Sequence, residues 1–375
     1  MPDLTGAAGL AVGDRVEART GPVAHGGHVV ARVPSGLGGR DVVVFVRHAL
    51  PEERVVVEIT EVDKTFLRGD AIEVLEASPD RVPAPCPLAH PGGCGGCDFQ
   101  HVALPAQRRL KAAVVEEQLR RLAGIERSVE VAAVEPTLRW RTRMQYVALP
   151  GGRRGLRKHR SHDVVEVDDC LIAAPGSAER PALVSEHVLG HDFAVAGDGF
   201  WQVHPQAPRI LVETVLAMLS PRPGERALDL YAGVGLFSAF LAEAVGPEGH
   251  VTGVEGDRRA VELAGENLAA YSWAEVRRAP VERLDWARMP GADVVVLDPP
   301  RVGAKRKIVD AIAGTGPRAI AYVACDPAAL ARDLAYFRDA GYQLSDLRAF
   351  DLFPMTHHVE CVALLVPSAD SVSTQ

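Results

Sequence analysis

The feature that most constrains this chain is a set of short apolar runs in its last third: Ala227 to Leu230, Val251 to Val254, Val294 to Leu297, Ala319 to Ala324 and Val359 to Val366. Strands buried on both faces read as such runs, because helices cover both sides of a parallel sheet. Helical stretches alternate with them, which predicts a doubly wound α/β domain. In such a sheet the ligand crevice lies beyond the carboxyl ends of the strands. Most of the chemistry-bearing residues of this region stand at those ends.

The first run leads into Asp229-Leu230-Tyr231-Ala232-Gly233-Val234-Gly235, where glycines let the backbone turn sharply and approach a ligand. Glu255 closes the second run, where a carboxylate can accept from the two hydroxyls of a ribose. A dinucleotide loop calls for three glycines as G-x-G-x-x-G, but Ser238 holds the third position. The pattern therefore favours a nucleoside ligand without a pyrophosphate, such as S-adenosylmethionine. Asp298-Pro299-Pro300-Arg301 ends the third run and faces the same crevice, although an Asp beside a turn also reads as a helix cap.

Cys325 ends the fourth run in Tyr322-Val323-Ala324-Cys325-Asp326-Pro327. A buried cysteine often serves only as a small hydrophobe. At a crevice edge, with a proline stopping the strand, it is placed as a nucleophile. Glu360 stands where the chain leads into the final run, beyond His357 and His358, which as neighbours on a strand would point to opposite faces and so make a poor metal site. A thiol and a carboxylate suit methylation at carbon 5 of uracil. That carbon becomes nucleophilic only after a thiolate adds to carbon 6, and a base must then remove its proton.

Upstream, five short strands separated by glycine turns (Asp14 to Thr20, His28 to Val33, Asp41 to Val46, Arg54 to Glu61, Phe66 to Leu75) predict a small barrel of the OB type. Proline-rich Ser78 to Pro91 marks a boundary, and a helix from Leu104 to Leu122 ends at Gly124. Strands at Arg141 to Leu149 and Val164 to Val167 flank a basic hairpin, Arg153 to Arg160. The net charge of -8 excludes polyanion binding through overall charge. Nucleic-acid contact would have to come from patches such as that hairpin, which also reads as a solvated basic face. Cys86, Cys94, Cys97 and Cys170 cluster unevenly, as a metal or redox site would. Four thiolates suit an iron-sulfur cluster or zinc.

Taken in order, these motifs resemble those of the bacterial RNA 5-methyluridine methyltransferases, which modify 23S ribosomal RNA or transfer RNA. Phe200-Trp201-Gln202-Val203-His204-Pro205, Asp229 to Ser238, Asp298 to Gly303, Tyr322 to Pro327 and Phe353 to Glu360 are similar to that family's successive motifs. The resemblance implies that Gln202, Tyr231, Gly233, Glu255 and Asp298 bind S-adenosylmethionine, that Cys325 forms the covalent bond and that Glu360 removes the proton. It identifies the barrel with a TRAM module and the four cysteines with ligands of a [4Fe-4S] cluster. It leaves open whether Glu282 or Asp285 lies near the adenine. Residues 87–93 make a longer gap between the first two cysteines than the best-known members have.

The expected organisation is therefore multidomain. Residues 1–76 form an OB-type barrel, residues 77–199 a central α+β domain with the cysteine site, residues 200–367 a class I methyltransferase domain, and residues 368–375 a disordered tail. The expected partner is RNA, 23S ribosomal RNA ahead of transfer RNA, with no membrane and no obligate protein partner. Met1 to Gly6 lacks a basic leader pattern, which points to the cytoplasm. Two rivals compete with this reading: an inactive RNA-binding or assembly factor, and a small-molecule methyltransferase.

Overall fold

The computed structural model describes residues 9–34, 41–178 and 181–368. The expected tail lies outside them apart from Ser368, as does the segment Met1 to Gly6. The chain divides into two compact units. Met1–Val114, Met144–Ala173 and Phe353–His358 make the first; Val115–Arg143, Ala174–Leu352 and Val359–Gln375 make the second.

In the first unit, β1 (Arg15–Ala24), β2 (His28–Val33), β3 (Val42–Arg47), β4 (Arg54–Val62) and β5 (Phe66–Glu76) close into a barrel of order β1-β2-β3-β5-β4. Alternate residues of β4 turn inward, so Val55, Val57 and Ile59 join Val44, Val46 and Leu67 in a dry core. Closure leaves no exposed sheet edge. Where the chain leaves the barrel, the fully buried Glu53 accepts from the backbone N–H of Leu50 at 2.8 Å and of Ser78 at 3.1 Å, and from Arg81 Nε at 2.6 Å. A buried carboxylate requires that degree of pairing.

Helix α1 (Leu104–Gln118) continues as a wider π turn, Leu119–Ala123, and ends on Gly124 in the left-handed conformation at φ 66°. The division between the units falls inside it, after Val114. The first unit also holds a small sheet of β7 (Val147–Ala148), β8 (Arg154–Arg157) and β9 (Val164–Glu166). The strand expected from Arg141 is thus confined to two residues. In the second unit, Arg141 and Thr142 make other backbone bonds, with the Thr142 N–H donating to Val203 and the Arg141 carbonyl accepting from Ala174.

In the second unit, β6 (Val131–Ala132) lies at one edge of an eight-stranded sheet, and β10 (Leu183–Val188) and β11 (His191–Ala196) form a separate hairpin. The remaining elements alternate: α2 (Ala207–Leu219), β12 (Arg226–Leu230), α3 (Leu236–Val245), β13 (His250–Glu255), α4 (Arg258–Asn267), β14 (Ala274–Arg278), β15 (Val294–Leu297), α5 (Lys305–Gly314), β16 (Ala319–Ala324), α6 (Pro327–Asp339), β17 (Tyr342–Phe350) and β18 (Glu360–Pro367). The sheet runs β14-β13-β12-β15-β16-β18-β17-β6. From β14 to β16 neighbouring strands are parallel, and every residue of β15 and β16 is buried. β18 pairs antiparallel with both β16 and β17. Among the described residues no helix is long and apolar enough to cross a membrane.

Candidate active site

Strand order reverses at β12, with β13 and β14 to one side and β15 and β16 to the other, so the loop after β12 opens at the switch point of the sheet. Gly235 sits at φ 87°, where a side chain would be strained, and forms the N-cap of α3. Tyr231 holds φ 63°, rare for a bulky residue. The Ala232 N–H donates to the Val254 carbonyl, and the Gly233 N–H donates to Glu255 Oε2 at 2.9 Å. Glu255 Oε1 accepts from the Asp257 N–H at 2.7 Å, and Asp257 in turn caps α4. Glu255 thus supports the glycine loop while keeping further lone pairs for a ligand. Gly253 allows the close approach beneath this loop, because a Cβ there would lie 3.0 Å from Ser238 Oγ and 2.9 Å from Val276 Cγ2.

Two residues support the loop from behind: Asn267, which carried no signal in the sequence, and Asp229, which opens the loop motif but was given no role of its own. Asn267, the last residue of α4, donates to the Val234 carbonyl at 2.9 Å and accepts from the Ala194 N–H of β11 at 2.8 Å. Asp229 is fully buried, accepts the Ser238 hydroxyl at 2.6 Å and is pushed up by burial to about 7. A buried Asp bonded to one hydroxyl is more comfortable neutral than charged.

Asp298 follows β15 and accepts from Gln202 Nε2 at 3.3 Å; burial pushes its carboxyl up to about 7. Cys325 follows β16. Burial, then the Glu360 and Asp298 carboxyls, push its thiol up to about 12, while Arg301 opposes the rise. Glu360 begins β18, is 3% exposed, and is raised well above the usual carboxylate range by burial and by Asp298, again with Arg301 opposing. Ala324 pairs with Cys361 across β16 and β18, so the next step of that register sets Cys325 beside Glu360. The structure therefore gathers Cys325, Glu360, Asp298, Gln202 and Arg301 at one edge.

Asp326, next to Cys325, serves as the N-cap of α6 by accepting from the Ala329 N–H at 2.8 Å. The Pro-Pro-Arg loop is held from behind by Asp333, another residue the sequence did not mark. It accepts from the Ala304 N–H at 2.6 Å and from the Tyr322 hydroxyl at 2.7 Å. Of the two acidic residues considered for the adenine end, Glu282 receives the Tyr231 hydroxyl at 3.4 Å, whereas Asp285 pairs with Arg288 at 3.1 Å.

Cys86, Cys94, Cys97 and Cys170 all belong to the first unit. Burial pushes the Cys97 thiol up to about 12, and Cys170 and Cys94 are among the groups that raise it. Gln100 Nε2 donates to the Cys97 sulfur and the Gly96 N–H to the Cys94 sulfur, each at 3.4 Å. Among the described residues, however, no group of three or more His, Cys, Asp or Glu side chains is arranged to hold a metal ion. The expected four-cysteine cage is thus not assembled, although the donor chemistry suits one. His357 hydrogen-bonds Asp98 through Nδ1 at 2.6 Å.

Comparison with known proteins bears on the family and the fold. A family profile described as tRNA (Uracil-5-)-methyltransferase matches residues 191–367, and a TRAM domain profile matches residues 10–72. An uncharacterized RNA methyltransferase of Streptomyces avermitilis is 45% identical, with 96% of this chain and 99% of that relative aligned. One of Streptomyces coelicolor is 44% identical over 96% of this chain and 94% of its own. Among solved structures, a Pyrococcus abyssi tRNA (uracil-54, C5)-methyltransferase in complex with S-adenosyl-L-homocysteine shares the fold, with TM-score 0.70, 22% identity and 93% and 99% of the two chains covered. Relatives aligned along nearly the whole length, together with the two profiles, place the chain in the uracil-5 RNA methyltransferase family.

Proposed function

We propose that this protein transfers a methyl group from S-adenosylmethionine to carbon 5 of a uridine in RNA, with Cys325 as nucleophile and Glu360 as base. The observation that carries the reading is the β16–β18 register, which sets a thiol and a buried carboxyl side by side at the edge where the donor-site loops end. Bound S-adenosylmethionine supplies an electrophilic methyl group. Glu255 is placed for its ribose, Gly233 and Tyr231 for the nucleoside, and Gln202 and Asp298 for its amino-acid and sulfonium end. A cation beside these carboxyls favours their ionised forms, against the burial that holds them protonated.

In the reaction, the Cys325 thiol gives its proton to solvent, its sulfur bonds to carbon 6, and the π pair of the 5,6 double bond moves toward the 4-carbonyl. Arg301, the cation acting on both Cys325 and Glu360, favours their ionised forms. Carbon 5 then takes the methyl group, and S-adenosylhomocysteine is the leaving group. Glu360 removes the proton left on carbon 5, the double bond re-forms, and the thiolate leaves. The uridine must be out of its stack to reach Cys325, which is cheapest in a loop or single strand. The barrel and the Arg153 to Arg160 hairpin are the surfaces proposed to hold the RNA.

For the RNA class we favour 23S ribosomal RNA, a reading tied to the four-cysteine segment. Transfer RNA is the alternative, supported by the printed description of the matching family. The cysteines Cys86, Cys94, Cys97 and Cys170 are proposed as ligands of a [4Fe-4S] cluster that shapes the first unit and takes no part in methyl transfer.

Three outcomes are expected. Assayed on separated 23S and transfer RNA, the wild-type protein forms 5-methyluridine in one pool. Cys325→Ala abolishes this, by at least ~10⁴-fold for loss of a covalent nucleophile, while Glu360→Gln accumulates a protein–RNA adduct visible on a denaturing gel. Turnover by Cys325→Ala, or adduct-free turnover by Glu360→Gln, rejects the assigned roles. Second, Asp298 and Glu360 are neutral below their raised pKa values and charged above them. Affinity for S-adenosylmethionine relative to S-adenosylhomocysteine should therefore rise by up to about tenfold from pH 6 to pH 8, as a group titrating near 7 ionises. A flat ratio in calorimetry means neither carboxyl faces the sulfonium. Third, protein purified without oxygen should contain iron and acid-labile sulfide in equal amounts, lost on Cys97→Ala. Zinc without sulfide, or no metal, rejects the cluster.

A further inference from the structure

A cavity of about 310 Å³ lies in the first unit, against the barrel strands and the turn between β8 and β9. It is at the small end of ligand sites, which span ~300–1,000 Å³. His28, Arg47, Arg68 and His159 all line it; His28 Nε2, Arg47 Nη2 and His159 Nε2 are buried with no hydrogen bond, while Arg68 Nε stands 3.4 Å from Glu61, which also lines the cavity. Arg47 is 9% exposed and His28 7% exposed. The carboxylates nearest Arg47, Asp70 and Asp98, each stand 4.0 Å away, too far for a hydrogen bond. Buried polar nitrogens are nearly always satisfied, so three unpaired ones around one cavity ask for an occupant.

The lining also says what kind of occupant. Burial and the Arg68 charge push His28 down to about 3, so its imidazole is neutral and offers an acceptor as well as a donor, as the edge of a nucleobase requires. Asp70 adds acceptors on the same wall. The His28 ring meets those of Phe45 and His159 edge-on, at 6.3 and 6.1 Å between centroids, and the Arg68 guanidinium lies over Phe45 and Phe66. Rings and guanidinium planes of this kind stack unpaired bases. Lys158 and the exposed Arg160 stand on the turn beside them, Arg160 in a loose surface pair with Glu61 at 3.6 Å that a phosphate would replace. A bare anion would use the donors alone and leave the acceptors and rings idle.

We propose that this cavity binds one unstacked nucleotide of the RNA, its base among His28, Arg68 and His159 and its phosphate at Lys158 and Arg160. The cavity belongs to the first unit and Cys325 to the second, so the nucleotide it holds is a second one, distinct from the target uridine. This site rests on the reading of RNA as substrate.

The test is binding of fluorescein-labelled decauridylate to the full-length chain, followed by anisotropy. Arg68→Gln and His159→Ala should each weaken binding at least tenfold while leaving S-adenosylhomocysteine affinity unchanged in calorimetry, which reports an intact second unit. In parallel, uridine monophosphate should shift the His28 and His159 ring signals in NMR saturably, and inorganic phosphate should not. Equal decauridylate affinity in wild type and both variants, with unmoved ring signals, overturns the cavity and leaves the RNA reading intact. If the wild type binds neither decauridylate nor the 23S and transfer RNA pools, the RNA reading fails. The mononucleotide shift then decides whether the cavity takes a free nucleotide. Shifts produced by phosphate alone overturn the nucleotide in favour of an anion site.

Discussion

The antiparallel pairing of β18 with β16 is the constraint on which the rest of the site depends. In a parallel sheet all strands finish at the same edge, which is why Tyr231, Glu255, Asp298 and Cys325 come together there. Every residue that follows a parallel strand can reach the crevice, yet none of them is the first residue of a strand. Only a strand running the other way begins at that edge. Glu360 is the first residue of β18, and the Ala324–Cys361 register fixes it against the residue after β16. A shift of one residue would turn the Glu360 side chain to the opposite face.

Electrostatics follows from that packing. Burial raises the proton affinity of Asp298 and Glu360; Asp298 adds to the rise at Glu360, and both carboxyls add to it at Cys325. At rest the edge is close to neutral, although three acidic side chains meet there. Arg301 is the counterweight, acting on both the thiol and the Glu360 carboxyl. An incoming cation or an electron-poor pyrimidine shifts the balance toward ionised forms, so the groups become reactive when the substrates are in place.

Much of this architecture was legible in the sequence, for reasons specific to each part. The runs Ala227 to Leu230, Val294 to Leu297 and Ala319 to Ala324 stand as β12, β15 and β16 with little change, because burial on both faces leaves no other reading of such residues. The five barrel strands appear within a few residues of their expected limits, since short turn segments punctuate them, with Gly26 and Gly27 before β2 and Pro51 before β4. By contrast, β14 and β17 carry Glu275, Arg277, Asp346 and Arg348, and their charged faces hid them. Asn267 and Asp333 act on loops 33 and 29 residues away in the chain, and nothing in their local sequence marks them. The cysteine segment was visible as a pattern of donors, but a pattern fixes residue types and not the distances between them.

The central claim is that carbon 5 of a uridine loses its hydrogen as it gains a methyl group, through the pair Cys325 and Glu360. Release of tritium to water from RNA labelled with [5-³H]uridine, measured alongside methyl incorporation from S-adenosylmethionine, tests this most directly. One tritium released per methyl group transferred, and none without the methyl donor, is the predicted result. Methyl transfer with the tritium retained would put the methyl group elsewhere on the nucleotide and contradict the account.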